Sequence, residues 1–153
     1  MRSARNGVRR AQQTLADAAR RSWGDIPRRS RTVVFVAVLV RHHDEILAVR
    51  SRGGRLVAPG EYLCGGQLPM DVTMVQFVRH TGVRLSSARI ETLVSDAFYR
   101  EVVIGVSGTL SDAAIAAIGS DSRALWVDRD ELIAIDRHAA AALNVPRRSW
   151  PAA

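Results

Sequence analysis

The sequence predicts one α/β domain, an α/β/α sandwich with a mixed central sheet, preceded by a basic helical arm. Three observations support this prediction. Strand-like and helix-like segments follow one another along residues 32–145, which favours a sheet layered with helices. A chain of 153 residues is long enough for one sizeable core and short for two. Arginine is concentrated in the first 31 residues, which therefore differ in character from the rest.

The arm, residues 1–31, carries the whole formal net charge of the protein. Its nine arginines and two aspartates give it +7, the value for the full chain, so the other residues sum to zero. A thin apolar stripe between Asn6 and Gly24 predicts a helix. We expect either a solvated extension or a segment that contacts nucleic-acid phosphates or an anionic membrane surface. The domain is expected at 32–145 and a C-terminal tail at 146–153.

Composition also indicates the source and the compartment. The chain contains no lysine and is rich in arginine, alanine and valine, which is typical of a GC-rich bacterial genome. Its single cysteine cannot form an internal disulfide, which fits a reducing compartment. The longest apolar run, TVVFVAVLV, is shorter than the roughly 18 to 20 residues that span a bilayer. We therefore expect a cytoplasmic protein.

The first strand is predicted at TVVFVAVLV, which begins at Thr32. This β-branched run is too continuous for a half-exposed strand and indicates a central strand covered on both faces. RHHDE follows as a turn and ILAVRS as the hairpin partner. We interpret His42 and His43 as turn residues, because neighbouring side chains of an extended segment point to opposite faces and rarely chelate one ion.

The connection SRGGRLVAPGEYLCGGQLP, residues 51–69, is rich in glycine and proline and contains one predicted strand, YLCG. Gly65 and Gly66 are candidate ligand-binding residues, because a glycine-rich turn before a helix can present backbone N–H groups to a phosphate. Cys64 could serve as a thiolate nucleophile, but no charged partner is evident. We expect it to be a small buried hydrophobic residue.

The segment GGQLPMDVTMVQFVRHTG, residues 65–82, predicts a helix that starts near Pro69, with Asp71 as its N-cap and Gly82 as its stop. Its buried side is expected to contain Val72, Val75 and Val78, with Met74 and Phe77 beside them. The other part of the helix surface carries polar residues at positions i, i+3 and i+4. This spacing predicts one cluster, formed by Gln76, Arg79 and His80.

The rest of the chain completes the α/β pattern. ARIETLVSDAF and YREVVIGVSGTL predict two strands, SDAAIAAIG a short helix and RALWV a further strand. A capped helical region then begins at Asp128 and runs through RDELIAI to HAAAAL.

This order of segments resembles the Nudix hydrolase domain over about residues 32–143. The resemblance depends on the Gly-Gly loop, the helix that ends in Thr-Gly, and the C-terminal segment in which Trp126 precedes Asp128, Glu131 and Leu132. It implies a Nudix-like α/β/α sandwich. It also implies Mg²⁺-dependent hydrolysis of a substrate that contains a nucleoside diphosphate.

The resemblance fails at the metal-binding positions. In the family, the helix before Thr-Gly carries Arg-Glu, two further residues and Glu-Glu, and these glutamates bind Mg²⁺. Counting back from Gly82, the four positions hold Val75, Gln76, Arg79 and His80. Magnesium prefers anionic oxygen ligands in octahedral geometry, and this helix face carries a positive formal charge instead. The sequence therefore predicts the loss of the usual metal site.

We expect a Nudix-like domain that binds a nucleotide or another phosphorylated small molecule without ordinary metal-dependent hydrolysis. The expected ligand-binding residues are Gln76, Arg79, His80, Gly65 and Gly66, because Arg79 can offer a planar set of donors to a phosphate. No metal or other cofactor is expected in this case.

Two alternatives stay open. One is a noncanonical hydrolase of a nucleoside-diphosphate-linked substrate, with His80 as acid or base and Arg79 as electrostatic stabiliser, or with Mg²⁺ on relocated carboxylates. The candidate carboxylates are Glu61, Glu91, Asp96 and Glu101. The other places the function in the arm, as an attachment to nucleic acid or membrane. The sequence does not decide whether the protein is an enzyme, nor its oligomeric state.

Overall fold

A computed structural model describes residues 32–97, 99–119 and 123–145 of the protein. The predicted helical arm at 1–31 and the predicted tail at 146–153 lie outside the described residues. Within the described residues, no helix is long and apolar enough to cross a membrane.

Seven strands and four helices occur in the described part of the chain. The strands are β1 (Val33–His42), β2 (Glu45–Arg50), β3 (Leu56–Val57), β4 (Gly60–Tyr62), β5 (Ser87–Asp96), β6 (Glu101–Thr109) and β7 (Ala124–Asp128). The helices are α1 (Pro69–Thr81), α2 (Asp112–Ala117), α3 (Arg129–Ile135) and α4 (Arg137–Ala142).

The strands form one mixed sheet with β1 at its centre. The main order is β3-β2-β1-β6-β5, while β4 pairs with β1 and β7 pairs with β2. β1 runs parallel to β6 and antiparallel to β2 and β4. Val36 to Val40 are all buried, as expected for a continuous β-branched run with layers on both faces. The predicted central strand and its hairpin partner are confirmed.

Helices cover both faces of the sheet, which confirms the α/β/α sandwich. Alternate residues of β1 point to opposite faces. Ala37 and Leu39 pack in one cluster with Leu132 of α3 and with alanines of α4. Val38 and Val40 pack in another cluster with Phe77 of α1.

Helix α4 lies very close to the sheet because its contact surface is made of alanines. Ala139 to Ala142 are almost completely buried. A Cβ atom on Gly105 of β6 would be only 3.0 Å from the carbonyl oxygen of Ala142. The hydroxyl of Thr92 on β5 donates to the same carbonyl over 2.8 Å. The end of α4 is therefore held against β5 and β6 both by packing and by a hydrogen bond.

The ends of α1 differ partly from the prediction. Leu68 occupies the N-cap position without a side-chain hydrogen bond, and Pro69 is the first helical residue. Asp71 lies inside the first turn, so the prediction that it is the N-cap was wrong. Proline at the first position supplies a suitable φ angle without needing such a cap. Gly82 ends the helix as predicted, with φ +80° and an N–H that donates to the carbonyl of Val78.

The buried side of α1 also differs from the predicted valine stripe. Val72, Thr73, Phe77 and Thr81 are buried, whereas Met74 is 42% exposed and Val75 66% exposed. The positions 73, 77 and 81 are four residues apart and share one helix face. Threonine can occupy this face because, at Thr81, the hydroxyl donates to the carbonyl of Phe77 over 2.7 Å.

The strand predicted at YLCG lies earlier, at Gly60–Tyr62. A Cβ atom on Gly60 would be 2.5 Å from the carbonyl oxygen of Val36, so the close approach of β4 to β1 requires glycine. Cys64 follows the strand and is exposed, and its N–H donates to Gln67 Oε1 over 2.8 Å. The expectation that Cys64 is buried was therefore wrong.

Candidate functional site

Two of the predicted site residues, Gln76 and His80, lie on the face of α1 that is directed toward β4. Gln76 and His80 are one helical turn apart, and both are partly buried. His80 Nε2 lies 3.6 Å from Glu61 Oε2 on β4. Glu61 is paired with Val36 of β1, and side chains of paired residues point to the same face of the sheet. Like Val36, it faces the α1 side of the sheet.

Three polar atoms along this face of α1 are buried and make no hydrogen bond to any of the residues that the structure describes. They are Thr73 Oγ1, Gln76 Oε1 and His80 Nε2. The spacing of three and four residues places them on one side of the helix. Buried polar atoms are nearly always paired with protein or water, so this group indicates a place where water or a ligand completes the structure.

A shallow cleft of about 180 Å³, which includes space open to solvent, lies beside these atoms. Its floor is apolar and its polar lining consists of Glu61, Thr73 and Gln76. Ligand pockets for complete drug-sized molecules measure about 300–1,000 Å³. Because the volume of this cleft includes open solvent, its enclosed part is much smaller, about the size of one water molecule. Its lining residues are Val36, Val38, Gly60, Glu61, Val72, Thr73, Gln76 and Phe77.

Of the predicted site residues, only Gln76 lines the cleft, while His80 lies beside it in contact with Glu61. Arg79 is exposed on α1, and it is not among the residues that line the cleft. Gly65 and Gly66 lie in the exposed turn before α1. Gly66 has φ +84°, and a Cβ atom on either glycine would meet nothing within 4 Å. The structure thus brings Gln76 and His80 together and leaves Arg79, Gly65 and Gly66 outside the cleft.

A second polar cluster lies on the opposite face of the sheet. Glu101, at the start of β6, is only 1% exposed. It forms an ion pair with Arg137, and its Oε1 accepts a hydrogen bond from His138 Nε2 over 2.9 Å. Both partners belong to the first turn of α4, where Asp136 caps the helix by accepting from the N–H of His138.

Aromatic rings enclose this Glu101 cluster. The ring of Phe35 stacks on His138 with centroids 3.7 Å apart, and the guanidinium of Arg137 lies 4.2 Å from the centre of the Tyr99 ring. Tyr62 is close to the same carboxylate. Burial raises the pKa of Tyr62 above its usual value of 10.0, and the negative charge of Glu101 raises it further. The cluster ties α4 to β1, β4 and β6.

Comparison with known proteins gives the fold. No family model matches the chain, and no curated protein matches it in sequence. Among solved structures, it is similar to a NUDIX hydrolase from Nitrosomonas europaea, with TM-score 0.53 and 17% identity over 80% of this chain and 98% of that one. The chain has a Nudix-like fold.

Two longer proteins contain a similar domain. Shewanella oneidensis NrtR gives a TM-score of 0.52 and 17% identity over 67% of this chain and 54% of that chain. A MutT/nudix family protein from Enterococcus faecalis gives 0.50 and 12% over 74% and 50% of the two chains. The Nudix-like domain thus spans about half the length of each. At these identities the similarity shows the fold alone.

The donor set at the α1 cleft of this Nudix-like domain does not fit a magnesium ion. It consists of one carboxylate, one hydroxyl and one amide, from Glu61, Thr73 and Gln76, with the imidazole of His80 beside Glu61. Magnesium requires near-octahedral oxygen ligands and is usually bound through carboxylates. Within the described ranges, no group of three or more histidine, cysteine, aspartate or glutamate residues is arranged to hold a metal ion.

Only two of the four carboxylates considered for a relocated site are neighbours, because Asp96 and Glu101 are partners in the pairing of β5 with β6. Glu61 faces α1, whereas Glu101 is buried on the α4 face. Glu91 lies on β5 between Arg41 and Arg89, at 3.8 and 3.1 Å. Asp96 is buried at the end of β5, where its Oδ1 accepts from the N–H of Tyr99.

Sequence reasoning missed Thr73, Tyr62, Arg137 and His138. The helical period could have revealed Thr73, because it precedes Gln76 by three residues and His80 by seven. The Glu101 cluster offers no such signal, since Glu101 is 36 and 37 positions from its two partners.

Proposed function

We propose that this Nudix-like domain binds a nucleotide or another phosphorylated small molecule, and that it does so without ordinary magnesium-dependent hydrolysis. The observation that carries the proposal is the row of three buried, unpaired polar atoms on the α1 face, at Thr73, Gln76 and His80. A row of unpaired polar atoms at the wall of a cleft favours a ligand that brings several hydrogen-bonding oxygens.

Each of the three side chains can act as a donor. The hydroxyl of Thr73 donates or accepts, and His80 Nε2 donates when it carries the proton. The oxygen and nitrogen of an amide differ little in shape, so Gln76 can turn its NH₂ group toward the cleft. Three donors on one helix face match the oxygens of a phosphate. In this proposal the phosphate therefore binds at the mouth of the cleft, against these donors, and the rest of the ligand lies farther out.

Arg79 is proposed to close over the bound phosphate from the rim of the cleft. It is exposed on α1, and its long side chain can reach across one turn of helix. In the hydrolases that the sequence resembles, the corresponding positions carry glutamates that hold cations. Here the arginine gives this face the opposite charge, which attracts an anion directly.

Gly65 and Gly66 are proposed to contact a more distant part of the ligand. They lie in the turn that leads into α1, where Gly66 has the left-handed conformation. Backbone N–H groups of such turns can bind a second phosphate. This arrangement suits a diphosphate better than a single phosphate.

A second candidate function is metal-independent hydrolysis, and the contact between Glu61 and His80 favours it. A carboxylate 3.6 Å from an imidazole nitrogen can orient a histidine that acts as a general base. His80 would then take a proton from the attacking water on its other ring nitrogen while the bridging P–O bond breaks and the distal phosphate leaves, and Arg79 would stabilise the negative charge.

Isothermal titration with inorganic pyrophosphate and with ADP tests the proposal, in EDTA and again in Mg²⁺. We expect binding in EDTA, and phosphorus NMR should show the ligand intact after binding. Arg79→Ala should weaken binding about tenfold, the typical worth of one charge-assisted hydrogen bond. Arg84→Ala, which removes another exposed arginine near the end of α1, should leave binding unchanged.

Three results would distinguish ligand binding without hydrolysis from metal-independent and metal-dependent hydrolysis. Binding only in Mg²⁺ together with cleavage would contradict the proposal and favour a metal-dependent hydrolase. Cleavage in EDTA that His80→Gln abolishes would favour the second candidate. An absence of binding under every condition would exclude both.

A further inference from the structure

The carboxylate of Glu61 occupies space that an anion bound to His80 would need. Its Oε2 lies 3.6 Å from His80 Nε2, the atom that the proposed function assigns to the phosphate. We infer that Glu61 is an internal competitor, a carboxylate that must move away before a phosphate can bind. This inference rests on the proposed function and adds to it a residue that controls access to the site.

The backbone of Glu61 cannot move out of the way. Phe35 pairs with Tyr62, Val36 with Glu61 and Ala37 with Gly60, so every residue of β4 is held by β1. Gly60 is packed so tightly that a single added carbon would lie 2.5 Å from the carbonyl oxygen of Val36. Only rotation of the Glu61 side chain can therefore clear the site.

The side chain itself is free to rotate outward. Its exposure is 41%, against 33% for His80. Within the described residues, its contacts are the one with His80 and a long hydrogen bond of 3.3 Å from the N–H of Tyr62 to Oε1. Neither contact is strong enough to fix a partly exposed carboxylate.

Carboxylate and phosphate compete because both are anionic acceptors. The proton on one ring nitrogen can serve only one of them at a time. Glu61 is also the sole ionisable residue among those that line the cleft. Two like charges in close contact repel each other, and they do so more strongly where water is partly excluded. Replacing Glu61 with its neutral isostere should therefore increase the affinity for an anion about tenfold.

The test is isothermal titration of the full chain with inorganic pyrophosphate in metal-free buffer. Glu61→Gln should bind about ten times more tightly than the natural protein. Glu91→Gln removes a partly exposed carboxylate of β5 that lies with Arg41 and Arg89, and it should not change the affinity. Glu61→Ala serves as a second variant if the glutamine variant does not fold, and it should also bind more tightly.

The outcomes separate this inference from the proposed function. If the natural protein binds and Glu61→Gln binds equally or more weakly, the inference is wrong and the proposed function stands. If only the Glu61 variants bind, the inference is supported, and the Glu61 carboxylate blocks anion binding in the natural protein. If none binds, both are wrong. Titration with Zn²⁺ or Mn²⁺ gives a further check, because metal binding that Glu61→Gln abolishes would make Glu61 a ligand and overturn the inference.

Discussion

Glu101 and His138 join the central sheet to the last helix through a hydrogen bond of 2.9 Å whose carboxylate is almost completely buried. The same carboxylate is paired with Arg137, so its negative charge is compensated by a cation from the first turn of α4. A buried charge without its partner is costly. This relationship makes Glu101 a determinant of stability, on the face of the sheet opposite to the proposed binding cleft.

Replacing Glu101 should destabilise the protein strongly. We expect Glu101→Gln to lower the free energy of unfolding by about 3–5 kcal/mol, because it leaves Arg137 without its buried counter-charge. Urea denaturation measures this change, and Glu91→Gln on β5 should stay within about 0.5 kcal/mol of the natural protein. A loss below about 1 kcal/mol for Glu101→Gln would mean that the ion pair is not maintained in solution.

Tyr62 should titrate at higher pH than an ordinary tyrosine. Burial and the charge of Glu101 raise its pKa above 10.0. Since the protonated form is the one favoured in the folded state, the associated stabilisation is present below pH 10 and is lost as pH rises through the folded-state pKa. Absorbance at a tyrosinate wavelength measures the titration. The chain has two tyrosines, so the difference between the natural protein and Tyr62→Phe isolates this residue. The prediction would be contradicted if the Tyr62 titration had its midpoint at or below pH 10.0. It would also be contradicted if the protein unfolded at a pH below that midpoint.

Adding one methyl group at Gly60 should damage the sheet. Its Cβ atom would be 2.5 Å from a backbone oxygen and 2.6 Å from the ring of Phe35. We expect Gly60→Ala to cost about 2–3 kcal/mol in unfolding free energy, as overpacking does in cores. Gly65→Ala is the matched control, since a Cβ atom there meets nothing within 4 Å. Equal stability of the two variants would contradict the proposed contact between β4 and β1.

Two threonines of α1 should respond oppositely to the same substitution. The hydroxyl of Thr73 is buried without a partner, so Thr73→Val should stabilise the ligand-free protein by about 1 kcal/mol. The hydroxyl of Thr81 is bonded to the carbonyl of Phe77, so Thr81→Val should destabilise it by a similar amount.

Thermal and urea denaturation measure both effects. Under the proposed function, Thr73→Val should also weaken pyrophosphate binding. If it destabilises the ligand-free protein instead, an ordered water molecule already satisfies the hydroxyl.

The arm provides a prediction that is independent of the cleft. Its charge of +7 over residues 1–31 should cause binding to nucleic acid that weakens steeply as salt increases. Deleting residues 1–31 should abolish this binding without changing pyrophosphate affinity. A filter or anisotropy assay with a mixed-sequence duplex, at several salt concentrations, makes the measurement. Binding that survives the deletion would place the contact in the domain.

The sequence predicts long elements well because their own residues determine them. β1 follows from its uninterrupted β-branched run, and the end of α1 from Gly82. By contrast, β3 and β4 have two and three residues, too few for a period to emerge. Their positions depend on pairing with β2 and β1, which is tertiary information that local pattern does not contain.

The side chains that share one face of α1 could be predicted only in part, because helical spacing is a local property and burial is not. Gln76 and His80 were found from this spacing. The predicted buried side of α1 included Val75 and did not include Thr73, whereas Val75 is exposed and Thr73 is buried. A threonine hydroxyl can bond within its own helix or face a cleft, so its burial depends on neighbours remote in sequence.

The close approach of α4 to Gly105 and Thr92 restricts how this domain can change over evolutionary time. Only methyl groups separate this helix from the strands beneath it, so the spacing between the two layers is already at its minimum. Any larger residue at positions 139–142 would push the helix away from the sheet. The first turn of that helix bears Arg137 and His138, so displacing the helix would also move both side chains away from Glu101. Mutational drift at these alanines is therefore constrained to residues no bulkier than serine.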